Sequence, residues 1–364
     1  LEEFMIEKFQ IRNYKCFPEL SLSMKRMNIL AGANATGKSS VIQSILLAFA
    51  AMRETGKYIK IGEALKIQTG NPSALIAQNA IELEDGDFEF EIFENDTLIK
   101  IKYYCNLDSP LDLAFQKNEE SMKSQIFYLN AERKGPRISY PAGGDLIIES
   151  DGSNAAYLVE MADMSGVEVP KEIQSNPFTG KFSAQVEEWM NIILGDVKLT
   201  VSTDMTKAST DIHYMNSLVD YGVLPTMTGF GISYVFSIIT AALLCSTKQN
   251  AVLIVENPEA HLHPAAQSRM GKFLQMISTL GVQVIIETHS EHIIDGARVQ
   301  AADSGDTNDM QVLFFYVKDG DIGITQISLN KSGELSEWPK GFFDQKSQDL
   351  RDLLMIRRRN AGKE

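Results

Sequence analysis

The sequence predicts an α/β fold in which a mixed, mainly parallel core sheet is joined by an antiparallel β-subdomain and a helical lobe. The first observation is a strand-length apolar run, 27–31, followed by a Gly-rich turn and an apolar helical segment, 40–50. The second is the order strand, helix, strand over 251–286, which is typical of a right-handed crossover between parallel strands. The third is the alternation of apolar and polar residues over 81–104, which is typical of antiparallel strands with one solvated face.

Short strands are predicted along the N-terminal part of the chain, each bounded by turn residues. Two of them lie within 5–22 and are joined by a turn at Phe17 and Pro18. A hairpin across Gly86 joins two more strands, and two others follow along the chain. These four strands are 81–84, 88–93, 98–104 and 126–129.

A mainly helical lobe is predicted for the middle of the chain, where two apolar segments with helical spacing flank a loop rich in Pro, Asn, Ser and Gly. The helices are expected near 155–161 and 186–193. The sequence shows no internal repeat and no sustained heptad run. We therefore expect an N-terminal part of the core at 1–142, the lobe at 143–224 and a C-terminal part of the core at 225–364.

The C-terminal part of the core has the clearest pattern, with apolar strands and helices in alternation. A hairpin with a turn at 318–321 is expected to close the sheet. The predicted helices are 232–246 and 264–280. The predicted strands are 251–255, 282–286, 312–317 and 322–327.

Composition limits the classes of partner that this chain can have. The chain has 364 residues, 44% of them hydrophobic, which is enough for a sizeable core. Its net charge of -14 predicts at most weak DNA binding, and its compact basic run is 357–359. Three widely spaced cysteines favour a reducing compartment, and no apolar run is long enough to span a membrane. We expect a cytoplasmic protein without a membrane partner.

A phosphate-binding loop is the most informative local feature. The run from Gly32 to Ser39 fits the pattern G-x-x-x-x-G-K-[ST] and lies between the predicted strand and helix. Its backbone N–H groups and the helix dipole form a cradle for phosphate. The predicted nucleotide-binding residues here are Asn34, Ala35, Thr36, Gly37, Lys38, Ser39 and Ser40. Lys38 is expected to reach the outer phosphates of ATP, and the Ser39 hydroxyl is expected to bind Mg²⁺.

Three later motifs add groups that suit ATP hydrolysis. Glu256 and Glu259 follow an apolar strand, at the position of an acid that holds Mg²⁺ beside a phosphate loop on a neighbouring strand. His289 follows the next strand and can sense the γ-phosphate. A Gly-containing turn before a helix offers further N–H groups for phosphate. Its predicted nucleotide-binding residues are Gly229, Phe230, Gly231 and Ser233.

The order of these motifs resembles the ABC-type ATPase heads of SMC-like, RecF-like and OLD-type proteins. The resemblance covers 9–50 and 225–298. It implies an ABC-type P-loop ATPase head with ATP and Mg²⁺ as cofactors, in which Ser39 and Glu256 hold the metal. It also implies that 229–233 is a signature loop pressed on the ATP of a second protomer, and that His289 is the switch histidine.

The run Pro258-Glu-Ala-His-Leu-His-Pro264 is similar to the Pro-Glu-x-His-Leu-His-Pro run of OLD-type and related bacterial anti-phage ATPases. The segment 338–344 resembles the C-terminal end of a bacterial subgroup of such ATPases. The resemblance implies a homodimer or a higher even oligomer that acts with a separate effector protein, a nuclease or a toxin. OLD-type nucleases carry a Toprim domain, and we expect none here because few residues follow Val317.

The sequence departs from the resembled families at the end of the Walker B strand. The families usually have Asp-Glu-Pro there, whereas this chain has Glu256-Asn257-Pro258. An amide cannot accept a proton from water, so we expect slow hydrolysis. We assign Glu256 as both Mg²⁺ organiser and weak base, and Glu259 is the alternative base. The helper Gln is not identified by pattern; Gln78 and the neighbourhood of 128–133 are candidates.

Two other functions fit parts of the sequence. A RecF-like DNA repair or recombination ATPase is the main alternative, and the net charge of -14 argues against it. A transporter ATPase subunit is disfavoured because the signature loop lacks the Leu-Ser-Gly-Gly-Gln form. For His261 and His263, interface or capping roles are favoured over a metal site, since no Cys or third His lies nearby in the sequence.

Overall fold

The computed structural model describes residues 4–67, 70–105, 111–144, 146–217 and 219–361. The strands are β1 (Ile6–Tyr14), β2 (Phe17–Ser23), β3 (Met27–Gly32), β4 (Tyr58–Lys60), β5 (Phe88–Glu94), β6 (Thr97–Cys105), β7 (Asp112–Lys117), β8 (Gln125–Leu129), β9 (Tyr140–Pro141), β10 (Lys198–Asp204), β11 (Ser209–Asn216), β12 (Val219–Val223), β13 (Ala251–Glu256), β14 (Gln283–Thr288), β15 (Met310–Lys318) and β16 (Asp321–Ile327). The α-helices are α1 (Lys38–Arg53), α2 (Ile61–Leu65), α3 (Ala155–Met164), α4 (Phe182–Leu194), α5 (Phe230–Ser246), α6 (Pro264–Ser278), α7 (Glu291–Ser304) and α8 (Gln345–Ala361).

The core sheet has the strand order β16-β15-β3-β14-β13-β8. All neighbouring pairs from β15 to β8 are parallel, and β16 pairs antiparallel with β15 at one edge. Helix α6 connects β13 to the adjacent parallel strand β14, as the crossover pattern predicted. The predicted α/β fold class with a mixed parallel core is confirmed.

Side chains of the core sheet alternate between two hydrophobic clusters, because successive residues of a strand point to opposite faces. On β13, Leu253 packs in the cluster that includes the middle of the chain and α5, while Ile254 packs in the cluster that includes α1 and the antiparallel sheet. On β3, Ile29 and Leu30 divide in the same way. Both faces are covered, which explains why these strands are almost continuously apolar.

The antiparallel sheet has the order β2-β1-β5-β6-β7-β4, but its hairpin differs from the predicted one. The segment 81–84 is not a strand. Instead, the side chain of Asn13 accepts from the Ile81 N–H at 2.7 Å and donates to the Ile81 carbonyl at 2.8 Å, so a side chain replaces the expected ladder partner. The hairpin joins β5 to β6 through Asn95, whose positive φ of 51° suits a tight turn.

The first turn was also placed too late in the sequence. It lies at Lys15 and Cys16, whereas Phe17 and Pro18 already belong to β2. A proline is tolerated there because β2 is the edge strand of its sheet, where a backbone N–H is not required for strand pairing.

The middle of the chain contains the two expected helices, α3 and α4, and in addition an antiparallel sheet that the sequence analysis missed. In this sheet β10, β11 and β12 are neighbours, and β9 pairs with β11. Trp189 of α4 packs against Phe273 of α6 with ring centroids 4.7 Å apart, which fixes the lobe on the core. The lobe is therefore mixed in secondary structure, because its strands also bury apolar residues such as Ile212 and Tyr214.

None of the described helices is long and apolar enough to cross a membrane.

Candidate nucleotide-binding site

The phosphate loop lies between the end of β3 and the start of α1. Its residues 34–40 and Glu287 line a cavity of about 190 Å³. Gly37 has a φ of +95°, and a Cβ atom there would lie 2.5 Å from the Phe17 ring, so the position requires glycine. All seven predicted nucleotide-binding residues of this loop therefore share one cavity at the N-terminus of a helix, where phosphate is favoured.

Lys38 folds back over the loop. Its Nζ donates to the carbonyls of Gly32 at 3.1 Å and Ala33 at 2.7 Å, and its side chain is 3% exposed. Burial lowers the pKa of Lys38, and the negative charge of Glu287 opposes this shift. Two neutral carbonyls therefore hold the amine at the loop. A phosphate there would be a stronger hydrogen-bond acceptor because it is charged.

Glu287 is the main site residue that the sequence analysis missed. In the core sheet β14 lies between β3 and β13, so the neighbour of the phosphate-loop strand carries Glu287 and not Glu256. The expectation that the Walker B strand is adjacent to β3 is therefore wrong. The Ser39 hydroxyl lies 3.2 and 3.1 Å from the two carboxylate oxygens of Glu287, and the Lys38 amine lies 3.9 Å from one of them.

The position of Glu287 has a strong electrostatic consequence. The residue is 6% exposed and pairs in register with Glu256 on β13. Burial, followed by repulsion from Glu256, raises the pKa of Glu287 to about 7, although Lys38 and Ser39 act in the opposite direction. A cation in this place would stabilise both carboxylates.

Glu256 ends β13 and faces a cleft of about 760 Å³ that Ser39 also lines. Its Oε1 accepts from the Tyr128 hydroxyl at 2.8 Å. Burial raises the pKa of Glu256, and the hydrogen bond from Tyr128 opposes that shift. The predicted metal residues Ser39 and Glu256 thus share one cleft, but no described hydrogen bond joins them.

Arg133 holds the end of β13 in place. Its guanidinium donates to the backbone carbonyls of Glu256 at 2.6 Å, Asn257 at 2.7 Å and Asn130 at 2.9 Å. The side chain is 4% exposed and stacks on the Tyr234 ring at 5.0 Å. Burial lowers the pKa of Arg133 to about 10. Within the candidate neighbourhood 128–133, Tyr128 and Arg133 thus contact Glu256 at the end of β13. Gln78 is exposed in a turn and lines no described cavity.

Asn257 has a left-handed backbone with a φ of +46°, which asparagine tolerates better than most residues. Its N–H donates to the Glu287 carbonyl at 2.8 Å, so the chain turns back toward β14. Its side-chain Oδ1 is buried and has no hydrogen-bond partner among the described residues. Asn257 lines neither the phosphate-loop cavity nor the cleft at Glu256, although the resembled families have a carboxylate at this sequence position.

Glu259 and His289 are brought together at the carboxyl ends of β13 and β14. The two oxygens of Glu259 accept from the Thr288 hydroxyl and from the His289 backbone N–H, each at 2.7 Å. Burial lowers the pKa of the His289 imidazole, and the positive charge of Lys38 lowers it further. These two hydrogen bonds orient the Glu259 carboxylate and position the His289 segment, while each oxygen keeps a lone pair for a further donor.

The predicted signature loop, 229–233, lies at the N-terminus of α5. It contacts the Pro-Glu-x-His-Leu-His-Pro run: the Phe230 ring is 5.3 Å from the His261 ring, and a Cβ on Gly231 would lie 2.7 Å from the His261 carbonyl. Ser233 is buried, and its hydroxyl has no partner among the described residues. No residue of this loop lines the phosphate-loop cavity.

The two histidines of the Pro-Glu-x-His-Leu-His-Pro run have packing and capping contacts. His261 packs between Phe230 and Tyr234, and the Nδ1 of His263 accepts from the Ala265 N–H at 3.4 Å at the start of α6. Among the described residues no group of three His, Cys, Asp or Glu side chains could hold a metal ion.

The residues of the site fit Mg²⁺ and a phosphate chain. The Ser39 hydroxyl and the carboxylates of Glu256 and Glu287 are hard oxygen donors, which Mg²⁺ prefers, and the loop supplies N–H groups for the phosphates. A phosphate loop, strand-end acids and a strand-end histidine on one parallel sheet define a P-loop ATPase head.

The chain belongs to the AAA ATPase domain family, whose model matches residues 5–150 and 169–294. Residues 306–353 match a second family model, described as a protein of unknown function, DUF3696. No curated protein matches this sequence. The family membership agrees with the site and identifies the chain as an ATPase.

Among solved structures the fold is similar to SMC heads. An SMC head bound to the C-winged helix domain of ScpA has a TM-score of 0.54 and 14% identity, with 90% of this chain and 98% of that chain covered. An SMC head with an extended coiled coil, bound to the C-terminal domain of ScpA from Pyrococcus furiosus, has a TM-score of 0.54 and 13% identity, with 97% and 100% covered. At these identities the likeness shows a common fold, that of an SMC-like ABC-type head.

The recombination mediator RecF is less similar, with a TM-score of 0.44, 11% identity and coverage of 89% of this chain and 98% of that chain. A likeness this weak carries no argument. The resemblance to OLD-type and anti-phage ATPases is not addressed by these matches and stays a prediction.

Proposed function

We propose that this protein is an ATP-driven switch. Each copy binds Mg²⁺ and ATP at its phosphate loop, and two copies pair around two ATP molecules. Slow hydrolysis reopens the pair. The paired state controls a separate effector, a nuclease or a toxin, in bacterial anti-phage defence.

The observation that carries this proposal is the placement of the signature loop. Gly229 has open space around it, Phe230 is 52% exposed, and no side chain caps the N-terminus of α5. A helix N-terminus without a side-chain cap suits phosphate, yet the loop contributes nothing to the phosphate cavity of its own chain. A second copy of the chain can supply the phosphate that the loop lacks.

Slow hydrolysis is supported by the groups around Asn257. An amide occupies the position of the usual base, and Glu259 is held by Thr288 and His289. Glu256 remains, and burial raises its pKa, which makes this carboxylate more basic. Its hydrogen bond to Tyr128 competes with a water molecule, so we assign it as a weak base.

A separate effector is supported by two observations. The similar SMC heads were solved with a bound domain of ScpA, a different protein. In this chain the exposed helix α8 carries uncovered apolar side chains, among them Leu353 and Met355, which suit a protein contact. The anti-phage role rests on the resemblance of 258–264 to defence ATPases.

The pairing and the defence role can be tested separately. Light scattering with ATP and Mg²⁺ should show a dimer or a higher even oligomer, most stably in Glu256→Gln, and a monomer without nucleotide. Cells that carry the gene with its genomic neighbours should resist phage, and Lys38→Ala should abolish the resistance. A persistent monomer would contradict the pairing, and unchanged plating of every phage tested would contradict the defence role.

A RecF-like DNA repair ATPase is the alternative, and α8 provides the observation that favours it. Arg351 and the run 357–359 are exposed on this helix despite the net charge of -14. DNA binding through these arginines should be ATP-dependent and should fall steeply between about 50 and 200 mM salt. Fluorescence anisotropy of duplex DNA with wild type and with the three arginines of 357–359 changed to Gln decides between the two functions.

A further inference from the structure

We propose that Glu287 binds Mg²⁺ directly, as an inner ligand beside Ser39, in the ATP-loaded protein. This inference rests on the proposed binding of ATP at the phosphate loop. Under this proposal the direct acidic ligand of Mg²⁺ is Glu287 on β14, whereas the sequence alone indicated one acidic group, at the end of β13.

The sheet order places Glu287 closer to the phosphate loop than Glu256. Strand β14 pairs directly with β3, and Glu287 is in register with Leu30, near the end of the strand that leads into the loop. Glu256 lies one strand further away, in register with Glu287. A metal ion bound at Ser39 would therefore lie nearer to the carboxylate on β14 than to the carboxylate on β13.

The distances fit two ligands of one ion. Two oxygens on neighbouring corners of a Mg²⁺ octahedron, each about 2.0–2.1 Å from the ion, lie about 2.9 Å apart. The Ser39 hydroxyl lies 3.1 and 3.2 Å from the carboxylate oxygens of Glu287. A small movement would bring both groups into the coordination shell of one ion, with the phosphates and water filling the other positions.

The charges around Glu287 also favour a cation. The carboxylate is buried and faces Glu256, while the amine of Lys38 is 3.9 Å away and donates instead to two loop carbonyls. One ammonium group at this distance cannot compensate two buried carboxylates, and a divalent ion would lower the remaining cost. Glu256, bonded to Tyr128, is left to hold a water molecule of the metal.

The test measures nucleotide binding rather than turnover. Calorimetry of the non-hydrolysable analogue AMP-PNP in Mg²⁺ and in EDTA gives the gain in affinity that the metal supplies. Glu287→Gln should lose roughly 10-fold or more of this gain, while its affinity in EDTA is unchanged or higher. Glu256→Gln should lose less. Glu89→Gln, which changes a buried carboxylate of the antiparallel sheet, should keep the wild-type gain.

The outcomes separate this inference from the proposed function. If Glu287→Gln keeps the full gain, or Glu256→Gln loses more of it, Glu287 is not the inner ligand. If the wild type binds no AMP-PNP in either medium, the ATP-binding proposal itself fails.

A second measurement does not depend on the folding of Glu287→Gln. Glu256→Gln made with carboxyl-¹³C glutamate and loaded with Mn²⁺ and AMP-PNP should show a ¹³C hyperfine coupling of a directly bound carboxylate. Since Glu259 lines neither of the two cavities at Ser39, the coupling would come from Glu287. Its absence would overturn the inference.

Discussion

The carboxylate of Glu259 accepts a 2.7 Å hydrogen bond from the Thr288 hydroxyl, which joins the loop after β13 to the end of β14. Its other oxygen accepts from the backbone N–H of His289 at 2.7 Å. One acidic side chain therefore ties the backbone of His289 to the loop after β13. A change of conformation at His289 would therefore alter its hydrogen bond with Glu259, which lies in the Pro-Glu-x-His-Leu-His-Pro run.

The first prediction concerns this link. Glu259→Ala should lower kcat roughly 10-fold or more, because the charge-assisted hydrogen bonds from the Thr288 hydroxyl and the His289 N–H are lost. The affinity for ATP should change little, since Glu259 does not line the phosphate cavity. Glu259→Gln, which keeps one acceptor oxygen, should recover part of the rate. Phosphate release and calorimetry measure the two effects, with exposed Glu337→Ala as control. Equal losses in both quantities would mean that Glu259 contacts nucleotide.

Lys38→Ala should weaken ATP binding by about 10- to 100-fold, because a charge-assisted contact to phosphate is typically worth about 1.5–3 kcal/mol. Lys207→Ala removes an exposed lysine at a distant turn and should bind as the wild type does. Calorimetry at constant Mg²⁺ compares the three proteins. Wild-type affinity in Lys38→Ala would mean that the nucleotide binds elsewhere.

Local patterns were enough to predict the phosphate loop and most core elements. The loop is one continuous run, β13 and β14 each contain a continuous apolar run, and α6 has apolar residues at helical spacing, so their type follows from nearby residues. The importance of Glu287 could not be inferred in the same way. It depends on the strand order, which places β14 between β3 and β13, and strand order is not visible in sequence adjacency. The available signal was an acid directly before Thr288 and His289 at the end of a buried strand.

The errors in the antiparallel regions have two different causes. The run 81–84 alternates like a strand, but Asn13 satisfies the backbone of Ile81 through a long-range side-chain contact. Strands β10 and β11 were missed because many of their residues are polar, such as Thr200, Ser202 and Asp211, and are equally typical of loops. The side chain that decides the structure at 81–84 is distant in sequence, whereas β10 and β11 pair with each other across a short turn and were missed for their composition.

Gly229→Arg should block pairing without harming the single head. Nothing lies within 4 Å of a Cβ at this position, and its φ of -72° is open to any residue, so the monomer should fold normally. Gly231 is a poorer choice, because a side chain there would meet the His261 carbonyl. The matched control is Gly56→Arg, an equally open glycine after α1. Light scattering should show ATP-dependent dimers for the control only, and dimers in both variants would contradict docking of the signature loop in trans.

The nucleotide-free protein should be stabilised by Glu287→Gln above pH 7. Glu287 has a pKa raised from 4.5 to about 7 in the folded state, so folding keeps a proton that the unfolded chain releases as the pH rises. Wild-type stability should therefore decline between these pH values relative to Glu287→Gln, by on the order of 2–3 kcal/mol at pH 8. Urea unfolding in EDTA at roughly pH 5 and pH 8 measures the difference, with Glu337→Gln as control. A constant difference across this range would show that Glu287 is ionised in the folded apo-protein.

The last prediction concerns the rate of hydrolysis. A positioned general base typically contributes about 10²–10⁴-fold, so a wild type with Asn257 in that place should turn over well below ~1 s⁻¹. Asn257→Glu should raise the rate if the new carboxylate reaches the attacking water. The same change should lower thermal stability slightly, because the φ of +46° suits asparagine better than glutamate.

Glu256→Gln separates the roles of the remaining acids in this experiment. If Glu256 is the weak base, its amide should abolish the residual rate in the wild-type background, while Asn257→Glu should restore part of it in the double variant. Steady-state phosphate release from the four proteins measures these rates, and thermal melts confirm that each is folded. Fast wild-type turnover that Glu256→Gln leaves unchanged would assign the base to another group. Because Glu259 is already bonded to Thr288 and His289, Glu287 would then be the next carboxylate to change.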